Sequence, residues 1–442
     1  MKRTAPIRVA LAILSALAAL APAPASAGRV LTMEQAVEEA LAHNASLRGR
    51  RSGSAADREE ARSARGRLLP SLSVAALYDQ VTIPGPGSLG GLLAAGAAPS
   101  GTSVQNLRIG LGLATASQPL LGLWHASHEY EAASRQADAS EDEVRAAESD
   151  LREQVESSYL SLFEARAVRG IAAASRDELV ARLRETEARL GEGAATRADL
   201  LRMRVALANA EQESVEAEVR ERVTRASLLA LIGLPPEGQD VDFAEPAEGA
   251  SGAGPSALGE AEAYALQHRP EVRAAAEREA AAHHTRVASE LRLLPELNAT
   301  ASYVRLQGFS STLPADFFAF GLSLDWKLWD WGAAYFSSKA ASRREEAAAS
   351  TLEGTRSQVA FEVLRRTEEE KAASHALSVA EQAIDEAEEA YRVTAELSGS
   401  GAATTTDLLD AQSALTRARL NLARARYGAR RARSALRKAL GA

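Results

Sequence analysis

The spacing of apolar positions changes several times along this chain. From Thr32 to about Arg67 they recur at helical intervals; Thr32 and Gln35 form a candidate capping pair and Pro70 is the stop. The period then falls from 3.6 to 2. Leu107, Ile109, Leu111 and Leu113 alternate with Arg108, Gly110, Gly112 and Ala114. Further on, Phe318, Phe320, Leu322, Leu324, Trp326 and Leu328 alternate with Ala319, Gly321, Ser323, Asp325 and Lys327. Each run predicts a strand with one apolar and one polar face. Their partners, 71–81 and 296–307, alternate less cleanly. The four predicted strands are 71–81, 104–117, 296–307 and 317–329. After each second strand comes a proline-free helical tract, 123–190 and then 333–397, each long enough to span roughly 100 Å. The last segment predicts a coiled-coil strand. Leu408, Ala411, Leu415, Ala418, Leu422, Ala425, Ala429, Ala432, Leu436 and Ala439 keep an unbroken 3-4 spacing.

The chain is written twice. Leu41-Ala42-His43 aligns with Leu266-Gln267-His268, and Leu68-Leu69-Pro70-Ser71-Leu72 aligns with Leu293-Leu294-Pro295-Glu296-Leu297, both at an offset of 225. Farther along, 191–201 and 399–409 share eight of 11 residues at an offset of 208. Matches in the same order mean an internal duplication. The first copy therefore carries extra residues, and the obvious place is Pro84 to Gly101, where nine of 18 residues are Gly or Pro. The expected plan is a leader at 1–27, a first repeat at 28–232, a Gly/Pro/acidic linker at 233–256 and a second repeat at 257–442. Each repeat reads helix, strand, loop, strand, very long helix, turn, helix.

Composition narrows the class. Of the 442 residues 46% are hydrophobic, but much of that is alanine and only 5% is aromatic, which favours long helices over an ordinary globular core. No cysteine is present, which excludes disulfide scaffolds, thiolate metal sites, a cysteine nucleophile and a lipid anchor on cysteine. Lys2, Arg3 and Arg8, the apolar run Val9 to Ala21 and the small residues Ala25-Ser26-Ala27 read as a secretory signal peptide cleaved between Ala27 and Gly28. A membrane anchor is the rival reading, but 13 residues fall short of the roughly 20 a bilayer requires. The net charge of -8 argues against nucleic acid as a partner. The Arg-rich tail is better matched by acids mirrored about Gly401: Glu381 to Glu389 opposite Arg417, Arg419 and Arg424, and Glu368 to Glu370 opposite Arg431 and Arg433.

Strands with one greasy face fit either a half-buried sheet in a soluble domain or a transmembrane barrel wall. The tryptophans favour the wall. Trp124, Trp326, Trp329 and Trp331 all fall where a strand passes into a long helix, as membrane-interface aromatics do.

With a leader, a duplicated helix–strand–strand–helix unit and the segment Gly401-x5-Asp407-Leu408-Leu409-Asp410-Ala411-Gln412, the chain resembles TolC-type outer-membrane efflux proteins over nearly its whole length. His43-Asn44-Ala45-Ser46-Leu47 and His268-Arg269-Pro270-Glu271-Val272 resemble the segment opening each half in that family, and Trp329-Asp330-Trp331-Gly332 its strand-exit motif. The resemblance implies an α+β membrane protein: a homotrimer with four strands per chain in a shared β-barrel and a long periplasmic α-helical coiled-coil tunnel. It implies a passive efflux channel in the outer membrane of a Gram-negative bacterium and not an enzyme, with no cofactor. Its partners would be outer-membrane lipid, a periplasmic adaptor protein and an inner-membrane RND or ABC transporter. A type I protein-secretion duct is the alternative within the class, and a soluble periplasmic coiled-coil scaffold the alternative outside it. Two departures stand out: Leu397 and Ser398 replace the family's Arg-Tyr, and Ala403 replaces an Arg that helps close the tip in relatives.

The candidate sites follow from the same motifs. Gly191, Gly193 and Thr196 in the first copy, and Gly399, Gly401 and Thr404 in the second, form two tip turns expected to dock the adaptor. Thr196-x-x-Asp199 and Thr404-x-x-Asp407 are capping-box patterns, so Asp199 and Asp407 are expected helix caps. Asp410, about 60° around the helix from Asp407, has no capping role. The resemblance places Asp407 and Asp410 in the pore constriction. Glu279, His283 and His284 lack a third ligand at metal spacing and read as exposed helical residues, so no metal is expected. No phosphate-binding or nucleophile-elbow motif occurs, so no catalytic residue is expected.

Overall fold

The computed structural model describes residues 29–84, 104–237, 241–246, 257–307 and 316–441. The expected signal peptide with its Ala27–Gly28 cleavage point, most of the Gly/Pro-rich loop and part of the expected linker lie outside the described residues. The chain divides into two units, residues 1–48, 147–268 and 359–442 in one, 49–146 and 269–358 in the other.

The first unit opens with β1 (Arg29–Leu31) and α1 (Met33–His43), which Thr32 starts with a capping box to Gln35. The single helix expected up to Arg67 is in fact two, α1 and α2 (Ala45–Gly66), separated at Asn44. Asn44 leaves helical geometry, and its Oδ1 accepts from the Leu47 amide (3.1 Å) to restart the helix. Its Nδ2 donates to the Leu231 carbonyl (3.2 Å). The second copy breaks at the equivalent place, between α5 (Leu258–His268) and α6 (Pro270–Leu291), where Pro270 occupies the first helical position. Helical spacing continues through both breaks, so periodicity alone merges each pair.

The long helices α3 (Gly122–Gly191) and α7 (Ala333–Gly399) are followed by α4 (Arg197–Leu231) and α8 (Thr405–Leu440). The linker expected at 233–256 is not only a connector: β4 (Val241–Phe243) lies within it and pairs in parallel with β1. Tyr159 on α3 holds this small sheet. It is fully buried, its hydroxyl lies 3.0 Å from the Leu31 carbonyl and also within reach of that of Ala244, sharing its one hydrogen between them, and it packs edge-on against Phe243. Burial pushes its hydroxyl pKa up to about 12, so it stays protonated as a donor. The α8 seam is buried or half-buried throughout. Of the mirrored charges, Arg419 meets Glu388 (3.2 Å) and Arg433 meets Glu370 (3.4 Å). Arg431 instead pairs with Glu164 on α3 at 2.6 Å, so the acids flanking this helix come from α3 as well as α7.

The second unit carries β2 (Ser71–Pro84), β3 (Val104–Pro119), β5 (Glu296–Gln307) and β6 (Asp316–Asp325). They form one antiparallel sheet in the order β2-β3-β5-β6. β6 stops at Asp325 rather than at residue 329 because its partner ends: Asp325 pairs with Glu296, and Pro295 before it has no N–H. The chain then turns through Trp331 (φ 56°) and Gly332 (φ 80°). The Asp330 carboxylate accepts from the amides of Gly332 (3.0 Å) and Ala334 (2.8 Å), which starts α7. Among the described residues no helix is long and apolar enough to cross a membrane.

Cross-helix ion pairs join the helices of this unit: Arg273 to Asp142 (2.9 Å), Arg135 to Glu277 (3.0 Å) and Arg286 to Glu345 (2.6 Å). His284 is half-buried rather than exposed as expected, with Nδ1 at 3.0 Å from Nδ1 of His128. Burial, reinforced by His128, lowers the His284 pKa below 6.5; burial also lowers that of His125, which accepts from Arg292 Nε. Below pH 6.5 the unfolded chain therefore takes up protons before the folded one does. Thermal stability is expected to fall as pH drops through 6.5 toward 5 and to be insensitive to these groups above 7. A His125→Gln/His284→Gln variant should show a flatter decline in melting temperature between pH 7 and 5. An unchanged slope would exclude both histidines.

Candidate functional site

Strand register sorts the side chains of the sheet onto two faces, because directly paired residues point the same way. One face carries the rows Leu72–Ala116–Ala301–Phe320 and Val74–Ala114–Tyr303–Phe318, with Leu322 and Leu324 beyond. Its large residues are strongly exposed, Phe320 by 81%. A groove of about 600 Å³ floored by Ala116, Ala299 and Ala301 runs beside Phe320 and Leu322. The other face begins with the pairs Glu296–Asp325 and Asn298–Ser323, followed by the rows Ser71–Ser117–Thr300–Gly321 and Ser73–Thr115–Ser302–Ala319. Hydroxyls bridge the strands here: Ser71 to Ser117 at 2.8 Å, Thr115 to Ser302 at 3.1 Å.

One strand departs from the sequence expectation. Leu111 and Leu113 share the hydroxyl-bearing face, not the aromatic one: Leu113 pairs with Val304 and Leu111 with Leu306. A period-2 pattern reveals two faces but not which neighbour's face each one joins; that is set by register. The four tryptophans sit at helix starts or after β6, all exposed, Trp331 by 86%. Trp326 Nε1 donates to the Leu293 carbonyl (3.3 Å), and Trp329 and Trp331 meet edge to face with centroids 5.7 Å apart.

The two tip turns, in the first unit, are built alike. Gly193 (φ 76°) and Gly401 (φ 78°) occupy left-handed positions, and the amides of Ala194 and Ala402 reach back to the carbonyls of Arg189 and Leu397, each at 2.8 Å. This is a Schellman-type stop. Gly191 and Gly399 are simply the last helical residues, with open space around them. Thr196 and Thr404 then cap the next helices. Thr404 Oγ1 accepts from the Asp407 amide (3.1 Å), and Asp407 Oδ2 accepts from the Thr404 amide (2.9 Å) and hydroxyl (2.6 Å). Asp199 does the same for Thr196. The bonds from these threonines hold both carboxyls below the usual aspartate range. Arg202 lies 3.5 Å from Asp199, and Asp410 is exposed one turn beyond Asp407.

Behind the exposed carboxylates, Leu179, Met203 and Ala210 form an apolar cluster joined by Leu409. A polar network that the sequence motifs did not mark ties α3 to α7 in the same unit. Tyr391 donates to Glu178 and accepts from Arg182 (3.3 Å), while Arg189 donates to the Ser398 carbonyl (3.2 Å). A tyrosine and an arginine are thus engaged here from positions outside Leu397 and Ser398. His283 pairs with Glu345 at 2.7 Å and meets His284 edge to face, with centroids 5.7 Å apart. Among the described residues no group of three acidic or histidine side chains is placed to hold a metal.

The outer-membrane efflux protein family model matches residues 36–234 and 263–442. Solved structures share the fold. The outer-membrane channel OprN is 20% identical with TM-score 0.82, covering 92% of this chain and 89% of that one. A membrane protein from Pseudomonas aeruginosa is 21% identical with TM-score 0.81, covering 92% and 93%. The outer membrane protein VceC from Vibrio cholerae is 20% identical with TM-score 0.80, covering 92% and 96%. No curated protein sequence matches. A strand wall with one largely apolar, exposed face, joined to long helices, defines an outer-membrane channel subunit. The chain belongs to the outer membrane efflux protein family; it is a passive channel component located in the outer membrane, and not an enzyme.

Gln412, in the second turn of α8, is 97% buried with neither amide atom hydrogen-bonded. An unsatisfied buried amide costs about 1–3 kcal/mol, which an apolar side chain of similar volume avoids. Gln412→Met is expected to raise the midpoint of denaturant unfolding, read by circular dichroism. A lowered midpoint would mean the amide has a partner in the native protein.

Proposed function

We propose that three copies of this chain close one twelve-stranded barrel and serve as the exit duct of a tripartite efflux pump, fed by a periplasmic adaptor and an inner-membrane RND or ABC transporter. The observation that carries this is the four-stranded sheet with an apolar face and two open edges, β2 and β6. Hydrocarbon does not tolerate unpaired backbone groups, and four strands are too few to close. The edges run antiparallel to one another in a head-to-tail ring, so β6 of one copy can pair with β2 of the next. Apolar residues left exposed on α4, among them Leu201, Val205, Val215 and Val223, suit helix packing between copies. OprN and VceC are outer-membrane channels or proteins by name, which supports the duct reading. The exposed tryptophans serve as the membrane-interface belt, and the tip turns Gly191 to Thr196 and Gly399 to Thr404 as the adaptor dock.

Because the chain has no cysteine, a single engineered pair gives an unambiguous readout. Cysteines at Val74 on β2 and Phe318 on β6 should yield an oxidised ladder of monomer, dimer and trimer in outer-membrane fractions. A ladder that ends at dimer, or continues to tetramer, would overturn the trimer.

In this assembly Asp407 and Asp410 contribute six carboxylates to the mouth. Clustered like charge attracts cations and binds hard multivalent ones. Single channels in planar bilayers should be cation-selective and blocked by trivalent cations. Asp410→Ala should weaken both effects without the loss of stability expected from removing the capping Asp407. Unchanged selectivity and block would remove Asp410 from the constriction.

A further inference from the structure

The inner face of the sheet is not uniform. The rows nearest the strand–helix junctions are acidic, amide and hydroxyl: Glu296–Asp325, Asn298–Ser323, and the two Ser/Thr rows. The next two rows along the strands are Ala75–Leu113–Val304–Phe317 and Leu77–Leu111–Leu306, without a polar side chain in either. Leu77 is 58% and Phe317 39% exposed. On the reverse face at the same level, Arg305 pairs with Asp316, and the Tyr303 hydroxyl donates to the Asp316 carboxylate (3.1 Å). The lipid-facing side is therefore becoming polar where the opposite side becomes apolar. A wall that only had to stay wet would carry the reverse arrangement, as the polar interiors of porin-type barrels do.

We propose that these two rows form an adsorption site for apolar or amphipathic organic solutes leaving through the lumen. The site consists of Leu77, Leu111, Leu113, Val304, Leu306 and Phe317 from each copy. It rests on the trimeric duct reading, in which this face lines the pore. Lipid covers the opposite face, so the occupant of these rows is what passes through. They carry no charge, so they select by apolar area and not by ion pairing. Efflux through such a lumen favours solutes that shed apolar area into the collar over hydrophilic solutes of equal charge.

The test compares two monovalent cations of the same charge, tetraphenylphosphonium and tetramethylammonium, as blockers of single-channel current in planar bilayers. Any attraction to the acidic rows or the mouth acts on both. Wild-type trimers should be blocked by tetraphenylphosphonium at about tenfold or more lower concentration. Leu111→Ser/Val304→Ser/Phe317→Ser should raise its blocking concentration by about tenfold and leave tetramethylammonium block unchanged. Phe317→Ser alone, a smaller perturbation, should give a partial shift in the same direction, and keeps the proposal testable should the triple variant not assemble. Val74→Ser on the opposite face should have no effect. Equal block by the two cations in wild type, or unchanged block in the Phe317 variant, would overturn the site. Intact wild-type trimers that pass no current would overturn the duct reading, and the site with it.

Discussion

The structure depends on one constraint: a backbone hydrogen-bonding group in hydrocarbon must find a partner within protein. The sheet satisfies its inner strands β3 and β5 on both sides and leaves β2 and β6 each half-paired. A soluble protein would blunt such edges with charge, proline or a covering element. Here the edge strands bear the largest apolar side chains of the exposed face: Leu72, Val74 and Tyr78 on β2, and Phe318, Phe320, Leu322 and Leu324 on β6. Those residues suit an edge that is completed by another copy while its face meets lipid.

Small residues do the complementary work. β3 presents Gly110, Gly112, Ala114 and Ala116 between the bulky edges, and the groove beside Phe320 is lined by the small residues Ala116, Ala299 and Ala301. In the helices, alanine fills the seam of α8 and allows close approach, while ion pairs such as Arg419–Glu388 and Arg431–Glu164 set which acids flank it. An exposed pair such as Arg419–Glu388 contributes little stability individually, so it is better regarded as fixing neighbours than as holding the bundle together.

The tip turns show what capping accounts for by itself. Asp199 and Asp407 are both occupied by their threonines, which orients the carboxylates and keeps them ionised. Asp410, one turn further along α8, is exposed and takes no part in the cap. The half-buried network of Tyr391, Glu178 and Arg182 ties α3 to α7.

The duplication, the four strands, the two long helices, both capping boxes and the helix-tip glycines were legible in the sequence. Each is a local pattern, fixed by side-chain period or by a residue that alone fits a backbone position, as glycine fits φ near 76–78° at Gly193 and Gly401. The early ends of elements were not legible: the break at Asn44 is accompanied by a bond to Leu231, 187 residues away, and β6 ends because its partner does. The pairing of β1 with β4, inside what composition marks as a linker, is also non-local. Above all, the sequence determined that Leu111 and Leu113 share a face, but only register decided which one. A one-residue slip would exchange the faces without altering the pattern, so cross-strand pairing alone placed those leucines beside Val304 and Leu306.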